Sequence, residues 1–135
     1  MHEKLGKAVM VVFEECVVPI LNNAESLKIA LDSACRRGGA TVLNCLAHQF
    51  WLADNSAPDG ATALAALAES HAAAHSWPRR TKGTLVVTVY TCGNIDPVVI
   101  ARLIGRNVGA KRLKISEVDF DALASDNTPW LSGDS

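Results

Sequence analysis

The segment AESHAAAHSWP, residues 68–78, places Glu69, Ser70 and His71 side by side and a second histidine, His75, four positions further on. The residues around these four are mostly alanine. An exposed helix has no need of such a group, and a buried helix would exclude it because polar side chains are costly to bury without partners. The group is therefore the first candidate for a functional site.

A metal site is one chemical interpretation of the two histidines. The alanine content of residues 61–74 favours a helix, and a helix would place His71 and His75 one turn apart on the same face. Two histidines in that arrangement can bind a metal ion. A zinc site also needs a third ligand and supporting residues, and the sequence offers neither nearby. We therefore expect no metal and keep the histidine pair as the alternative.

Composition and charge restrict the class of protein. The chain has 135 residues, 49% hydrophobic and 5% aromatic, which predicts one globular domain packed mainly with aliphatic side chains. Thirteen basic and fourteen acidic residues leave a net charge of −1, so neither nucleic acid nor an anionic membrane is an expected partner. No apolar run approaches a membrane span, and the first residues do not have the pattern of a signal peptide. We expect a cytoplasmic protein.

The four cysteines give no metal or disulfide pattern. No two of them form a Cys-x-x-Cys pair, which argues against a zinc ribbon, and disulfides are improbable in the cytosol. We predict that Cys16, Cys35 and Cys45 are small buried hydrophobic residues. Cys92 is considered separately below.

Hydrophobic periodicity and capping signals predict the elements that position these residues. Strands are expected at residues 6–13, 41–50 and 84–91, with an edge strand at 111–118. One helix is expected between the Asn22–Asn23 cap and Gly38, and another between Asp96 and Gly109. Residues 53–60 read as a loop, and residues 119–135 read as a flexible acidic tail after a single domain, 1–118.

Several short motifs occur in one order with compatible spacing. They are Glu-Ser-His at 69–71, His-Ser-Trp-Pro at 75–78, Thr-Cys-Gly at 91–93 and Asp-Pro at 96–97, with Gly-Ala-Thr-Val-Leu-Asn at 39–44 and Gly-Ala-Lys-Arg at 109–112. In these motifs the chain resembles the bacterial S-adenosylmethionine decarboxylases, from about Gly6 to Val118.

The resemblance implies an α+β fold, a two-layer α/β sandwich whose antiparallel sheet packs against helices. It also implies that residues 63–68 are a strand ending at a cleavage turn, and not part of an alanine-rich helix. Tertiary context can outweigh propensity, because the advantage of alanine is below about 1 kcal/mol per position. The small bacterial members pair, so a homodimer of processed chains is expected.

The family is made as inactive proenzymes, so the resemblance implies a cut between Glu69 and Ser70. Ser70 Oγ would attack the preceding carbonyl and convert the peptide bond to an ester. Elimination and loss of ammonia would leave a pyruvoyl group at the new amino terminus. Its carbonyl can form a Schiff base with the substrate amine and accept the electrons released on decarboxylation, without a metal or a diffusible coenzyme.

The resemblance also assigns roles to other residues. His75 would assist self-processing, and Cys92 would be the proton donor during turnover. Thr62 occupies the position of a serine that helps processing, and its hydroxyl can make the same hydrogen bonds. His71 would support the cleavage serine, and Trp77 would stack against adenine.

The chain departs from the family pattern directly after Trp77-Pro78. The family has a glutamate there that binds the ribose hydroxyls, whereas this chain has Arg79, which can only donate hydrogen bonds. Three alternatives stay open. The substrate is S-adenosylmethionine, giving the aminopropyl donor for spermidine; or it is arginine or ornithine; or the chain is an inactive partner that regulates an active decarboxylase.

Overall fold

A six-stranded antiparallel sheet forms the centre of the computed structural model, which describes residues 4–130. The strand order is β2-β3-β4-β5-β1-β6, and every neighbouring pair is antiparallel. The strands are β1 Lys7–Glu14, β2 Val42–Trp51, β3 Pro58–Leu67, β4 Ser70–Trp77, β5 Thr84–Thr91 and β6 Arg112–Asp119. The helices are α1 Val18–Leu21, α2 Ala24–Arg37, α3 Pro97–Asn107 and α4 Phe120–Ser125.

The two long helices begin where their capping residues predict. The Asn23 side chain accepts a hydrogen bond of 2.9 Å from the Ser26 backbone N–H, and the Asp96 side chain accepts one of 2.9 Å from Val98. The four strands predicted from periodicity are confirmed to within one residue at each end. Residues 53–60 are only partly a loop as predicted, because β3 already begins at Pro58.

One face of the sheet carries the hydrophobic core. Helix α2 packs on β2 and β3, and helix α3 packs on β1 and β5. Their fully buried side chains include Leu27, Leu31, Ile100 and Ile104. Each such side chain contributes on the order of 1.5–3 kcal/mol to stability. This arrangement is the two-layer α+β sandwich that the resemblance implies.

The alanine-rich segment forms two strands, so the helix favoured by propensity is wrong. Ala63, Ala65, Ala72 and Ala74 are buried on the face beneath α2, where their small side chains let the helix approach closely. Leu67 pairs with Ser70, which leaves Ala68 and Glu69 as the two residues of a hairpin turn. Packing of α2 on this hairpin outweighs the small helix preference of alanine.

The opposite face of the sheet is rich in exposed apolar side chains. Because side chains alternate along a strand, the residues that do not meet α2 and α3 lie on this second face. Its exposed members include Met10, Val12, Leu46, Leu64 and Trp77. We call it the open face.

The segment predicted as a flexible tail begins with structure. Helix α4 lies in it, and the Asp121 carboxylate accepts a hydrogen bond of 3.0 Å from the Leu5 backbone N–H. Residues 1–3 and 131–135, at the ends of the predicted domain and tail, lie outside the described residues. Within residues 4–130 no helix combines the length and apolar character of a membrane span.

Candidate active site

The turn between β3 and β4 holds the peptide bond that the resemblance marks for cleavage. Ser70 has a backbone φ of 145°, an angle that side-chain-bearing residues seldom adopt. A residue held in such a conformation costs on the order of 1–3 kcal/mol, and surrounding contacts must enforce it. Backbone strain is therefore located at Ser70, directly after its peptide bond with Glu69.

Three hydrogen bonds fix this turn. The Thr41 backbone N–H donates to Glu69 Oε1 at 2.9 Å, and the Ala68 N–H donates to the Thr41 carbonyl at 2.9 Å. The Cys92 N–H donates to the Glu69 carbonyl oxygen at 3.1 Å. That carbonyl belongs to the bond ahead of Ser70, so a fixed donor already faces the oxygen on which negative charge would develop during attack.

The Ser70 side chain has a histidine neighbour within its own chain. Its Oγ lies 3.2 Å from Nδ1 of His71, whose ring in turn lies 5.8 Å from the Tyr90 ring, edge to face. Ser70 also pairs with Thr91 on the neighbouring strand β5, which brings Cys92 beside the turn. Ser70, His71 and Cys92 are thus gathered at one end of β4.

Gly6 supports this end, although no sequence signal singled it out. Its φ is +95°, and a Cβ atom there would lie 2.8 Å from Cys92 Cα and closer still to the Thr91 carbonyl. Only glycine lets the chain pass so close to the backbone of Cys92. The chain before β1 therefore passes directly against the backbone of Cys92, whose N–H faces the Glu69 carbonyl.

His75 and Thr62 form a second polar group on the open face. Thr62 Oγ1 lies 3.0 Å from His75 Nδ1, and the two residues pair directly across β3 and β4. His75 is five residues from Ser70 along a strand, which corresponds to about 17 Å. The structure thus brings His75 to Thr62 but not to the cleavage serine of its own chain.

A cleft of about 720 Å³ opens at the Trp77 end of β4. Aromatic and polar side chains line it, including Phe50, Trp51, Asp59, Thr62, His75, Trp77 and Arg79. The Trp51 and Trp77 side chains are about half exposed, at 54% and 48%. We call this site the aromatic cleft; it contains both residues that the resemblance assigns to substrate binding, Trp77 and Arg79.

Arg79 has a partner that sequence reasoning missed. Its Nε and Nη2 donate to Oδ1 and Oδ2 of Asp59, each at 2.9 Å, in a bidentate ion pair. Asp59 lies in β3, in the stretch predicted as a loop, so its contact with Arg79 could not be predicted. The substituted arginine therefore does not present an unpaired positive charge to the cleft.

A profile of the family described as S-adenosylmethionine decarboxylase matches residues 7–120. The chain belongs to this family of decarboxylases. The S-adenosylmethionine decarboxylase proenzyme of Prochlorococcus marinus (strain MIT 9313) is 36% identical over 108 residues, which cover 79% of this chain and 80% of the relative. The proenzyme of Pseudomonas aeruginosa (strain LESB58) is 29% identical over 116 residues, 85% of this chain and 68% of the relative.

A solved decarboxylase structure has the same fold. The adenosylmethionine decarboxylase of Aquifex aeolicus VF5 superposes with a TM-score of 0.74 at 23% identity and covers 87% of this chain and 92% of its own. This similarity supports the sheet topology and helix placement described above.

His71 and His75 lie on a strand of this decarboxylase-family chain and not on a helix, which excludes a metal site formed by the two histidines. Four strand residues span about 13 Å, so the two side chains cannot share one ion, as they could on a helix. Among residues 4–130 no three histidine, cysteine or acidic side chains are close enough to hold a metal.

The three cysteines other than Cys92 are unsuited to act as nucleophiles. Cys16 and Cys35 are buried as predicted, and burial raises the pKa of Cys16 to about 11 and that of Cys35 to about 12. Cys45 is only half-buried, contrary to prediction, although burial still raises its pKa. A thiol with a raised pKa remains protonated near neutrality and is a poor nucleophile.

Proposed function

We propose that this chain is a self-cleaving proenzyme that becomes a pyruvoyl-dependent decarboxylase, with S-adenosylmethionine as substrate. The observation that carries the proposal is the strained Ser70, whose preceding carbonyl accepts a hydrogen bond from the Cys92 N–H. The names of the relatives, S-adenosylmethionine decarboxylase proenzymes, support both parts.

The geometry of the turn supports self-cleavage. Ser70 Oγ attacks the Glu69 carbonyl carbon, the C–N bond breaks, and an ester to Ser70 Oγ replaces the amide. The Cys92 N–H stabilises the oxygen that carries negative charge during this step; removing one such donor typically slows a reaction roughly 100- to 1,000-fold. Breaking the bond also releases the backbone strain at Ser70.

The ester then gives the cofactor from atoms of the chain and one water. Loss of the Glu69 carboxylate from Ser70 Cβ, with removal of the Cα proton, leaves a dehydroalanine at the new amino terminus. Its enamine tautomerises to an imine, and water releases ammonia and leaves the ketone. When formed, the pyruvoyl group supplies a sink for the electron pair that decarboxylation leaves on the substrate. Cys92 Sγ holds the proton that this carbon takes up.

We infer that the base for processing comes from one of two histidines. His71 lies beside Ser70 Oγ in the same chain, whereas His75 lies about 17 Å away along β4. A role for His75 at Ser70 therefore requires a second copy of the chain. The exposed apolar open face supports a homodimer, because pairing of two such faces buries Met10, Val12 and Leu64.

S-adenosylmethionine is favoured over arginine or ornithine because of the aromatic cleft. Exposed tryptophan faces suit a purine, and the ion pair of Arg79 with Asp59 removes the positive charge that would oppose a sulfonium. Arginine or ornithine is the second candidate, since the edge of the Arg79 guanidinium not bound to Asp59 can still donate to a carboxylate.

The purified chain tests the proposal. We expect two fragments by intact mass, the C-terminal one labelled by a hydrazine or borohydride reagent, and carbon dioxide release from S-adenosylmethionine in a parallel assay with arginine, ornithine and lysine. Faster release from arginine or ornithine selects the second candidate. A single unlabelled chain with no release from any substrate would overturn the proposal and indicate a regulatory partner.

A further inference from the structure

The two residues just before β1 have all four of their backbone polar groups bound. The Asp121 carboxylate accepts hydrogen bonds from the Leu5 N–H at 3.0 Å and from the Gly6 N–H at 3.4 Å. The Gly6 carbonyl accepts one of 3.0 Å from the Phe120 N–H. The Leu5 carbonyl accepts one of 2.6 Å from the Tyr90 hydroxyl. We call these two residues, with their four hydrogen bonds, the Leu5–Gly6 clamp.

One side of the clamp is the backbone of Cys92. Lys7 pairs with Thr91, so Gly6, one residue before Lys7, lies opposite Cys92. A Cβ atom at Gly6 would lie 2.8 Å from Cys92 Cα, so no side chain separates the two backbones. The Cys92 N–H is the donor that faces the Glu69 carbonyl oxygen, at 3.1 Å. Movement of the clamp therefore removes the contact of this backbone on the Gly6 side.

The Tyr90 ring connects the clamp to the other side of the bond proposed for cleavage. Its hydroxyl is bound to the clamp, and the ring lies edge to face with His71 at 5.8 Å and with Phe120 at 4.9 Å. The Nδ1 atom of His71 lies 3.2 Å from Ser70 Oγ. The clamp is thus one residue away from both the hydroxyl that attacks and the carbonyl that is attacked.

Asp121 is the residue on which the clamp depends most. It accepts two of the four hydrogen bonds, and bonds to an ionised acceptor are roughly twice as strong as those between neutral groups. Its side chain is exposed, and helix α4 has no buried residue, so the hydrophobic core does not depend on it. Without Asp121 only the two carbonyls of the clamp keep a partner within the protein.

We propose that Asp121 is a positioning residue for self-cleavage: by holding the clamp in place, it keeps the Cys92 N–H directed at the Glu69 carbonyl. Asp121 touches none of the reacting atoms and acts only through the clamp. The inference rests on the proposed function, because the hydrogen bond from Cys92 matters for a reaction only where Ser70 attacks that carbonyl.

Amide hydrogen exchange tests the position of the donor without cleavage. The measurement uses the full-length Ser70→Ala chain and compares Cys92 with Ala68, whose N–H donates to the Thr41 carbonyl at 2.9 Å in the same turn. Adding Asp121→Ala should speed exchange at Cys92 roughly 10-fold and leave Ala68 unchanged. Asp121→Asn retains an oxygen that can accept from the clamp, so exchange at Cys92 should stay close to that of the Ser70→Ala chain.

The rate of cleavage is the second readout, in chains that retain Ser70. It is followed by intact mass after a pulse of synthesis. Asp121→Ala should slow cleavage roughly 10- to 100-fold, less than the roughly 100- to 1,000-fold expected when such a donor is lost outright. Asp121→Asn should recover most of the rate.

Asp54→Ala provides the matched control. The Asp54 carboxylate likewise accepts a hydrogen bond of 3.0 Å from a backbone N–H, that of Ser56, in an exposed turn before β3. This turn and the cleavage turn lie at opposite ends of β3. Removing the Asp54 carboxylate should therefore change neither the exchange at Cys92 nor the rate of cleavage.

Tyr90→Phe is a second variant that leaves Asp121 in place. It removes the hydroxyl that binds the Leu5 carbonyl and keeps the ring beside His71. Because one neutral hydrogen bond is lost, exchange at Cys92 should rise by a smaller factor, roughly 3-fold. Unchanged exchange in both Tyr90→Phe and Asp121→Ala would show that the clamp does not hold the donor.

Four results would overturn the assignment of Asp121. They are unchanged exchange at Cys92 in Asp121→Ala, equal acceleration at Cys92 and Ala68, normal cleavage despite faster exchange, and a loss in Asp121→Asn as large as in Asp121→Ala. Equal acceleration would mean that the whole turn has loosened. Failure of the proposed function is separate, since it shows as an uncut wild-type chain, whereas exchange at Cys92 is measured in a chain without the Ser70 hydroxyl.

Discussion

At its first residue, Ser70, strand β4 is held by backbone hydrogen bonds, whereas at its last residue, Trp77, it is surrounded by the side chains of a cleft. The end proposed for cleavage depends on the Cys92 N–H and on the strained φ of Ser70, both of which are backbone features. The cleft end depends on side chains, among them Arg79, at the position where the resemblance implies a glutamate. A substitution replaces a side chain but leaves the backbone N–H in place, so single substitutions can alter the cleft end more directly than the hydrogen bonds at Ser70.

Ser70→Ala gives the largest effect and tests the cleavage end alone. Without Oγ no ester can form, so we expect one full-length chain and no labelled carbonyl by intact mass. Ser33→Ala, on helix α2, is the matched control and should be cleaved like the wild type. Fragments from Ser70→Ala would show that the cut lies elsewhere.

Mixing two variants tests whether the two ends of β4 work together across copies. His75→Ala keeps Ser70, and Ser70→Ala keeps His75. We expect His75→Ala alone to cleave roughly 100- to 10,000-fold more slowly, the usual effect of losing a positioned acid or base. Adding Ser70→Ala chain should restore cleavage of the His75→Ala chain, followed by gel and mass.

The opposite result is equally informative. Normal cleavage of His75→Ala, together with slow cleavage of His71→Ala that added Ser70→Ala chain does not rescue, would assign the base to His71. The processing site would then be complete within one chain.

Cys92→Ser separates the backbone role of this residue from its side-chain role. The variant retains the N–H that faces the Glu69 carbonyl, so fragments and carbonyl labelling should be as in the wild type. Replacing the thiol with a far weaker acid should lower kcat roughly 100-fold, measured as carbon dioxide release. Impaired cleavage together with normal turnover would contradict this division.

Asn23→Ala has the smallest expected effect and should leave both ends of β4 intact. It removes the cap of α2 and should lower the free energy of unfolding by about 1 kcal/mol, measured by chemical denaturation. Cleavage and carbon dioxide release should not change. A loss of either would mean that the position of α2 affects the hairpin more than packing indicates.

Most elements could be predicted from local sequence, and the alanine-rich hairpin could not. Strand 84–91 has an alternating β-branched pattern, and the caps Asn23 and Asp96 mark helix starts by local hydrogen bonds. Residues 61–74 have no such pattern; the motif resemblance indicated a strand only at residues 63–68, and β4 was not predicted. The deciding contact, α2 against β3 and β4, joins segments that are distant along the chain.

By itself the sequence determined the fold class and the chemical groups available, because periodicity, capping and short motifs are local properties. The tertiary structure alone decided which of these groups meet. It placed Cys92 N–H on the Glu69 carbonyl, kept His75 away from Ser70 and paired Arg79 with Asp59. These relations depend on strand register, and register is set by packing of the whole sheet against its helices.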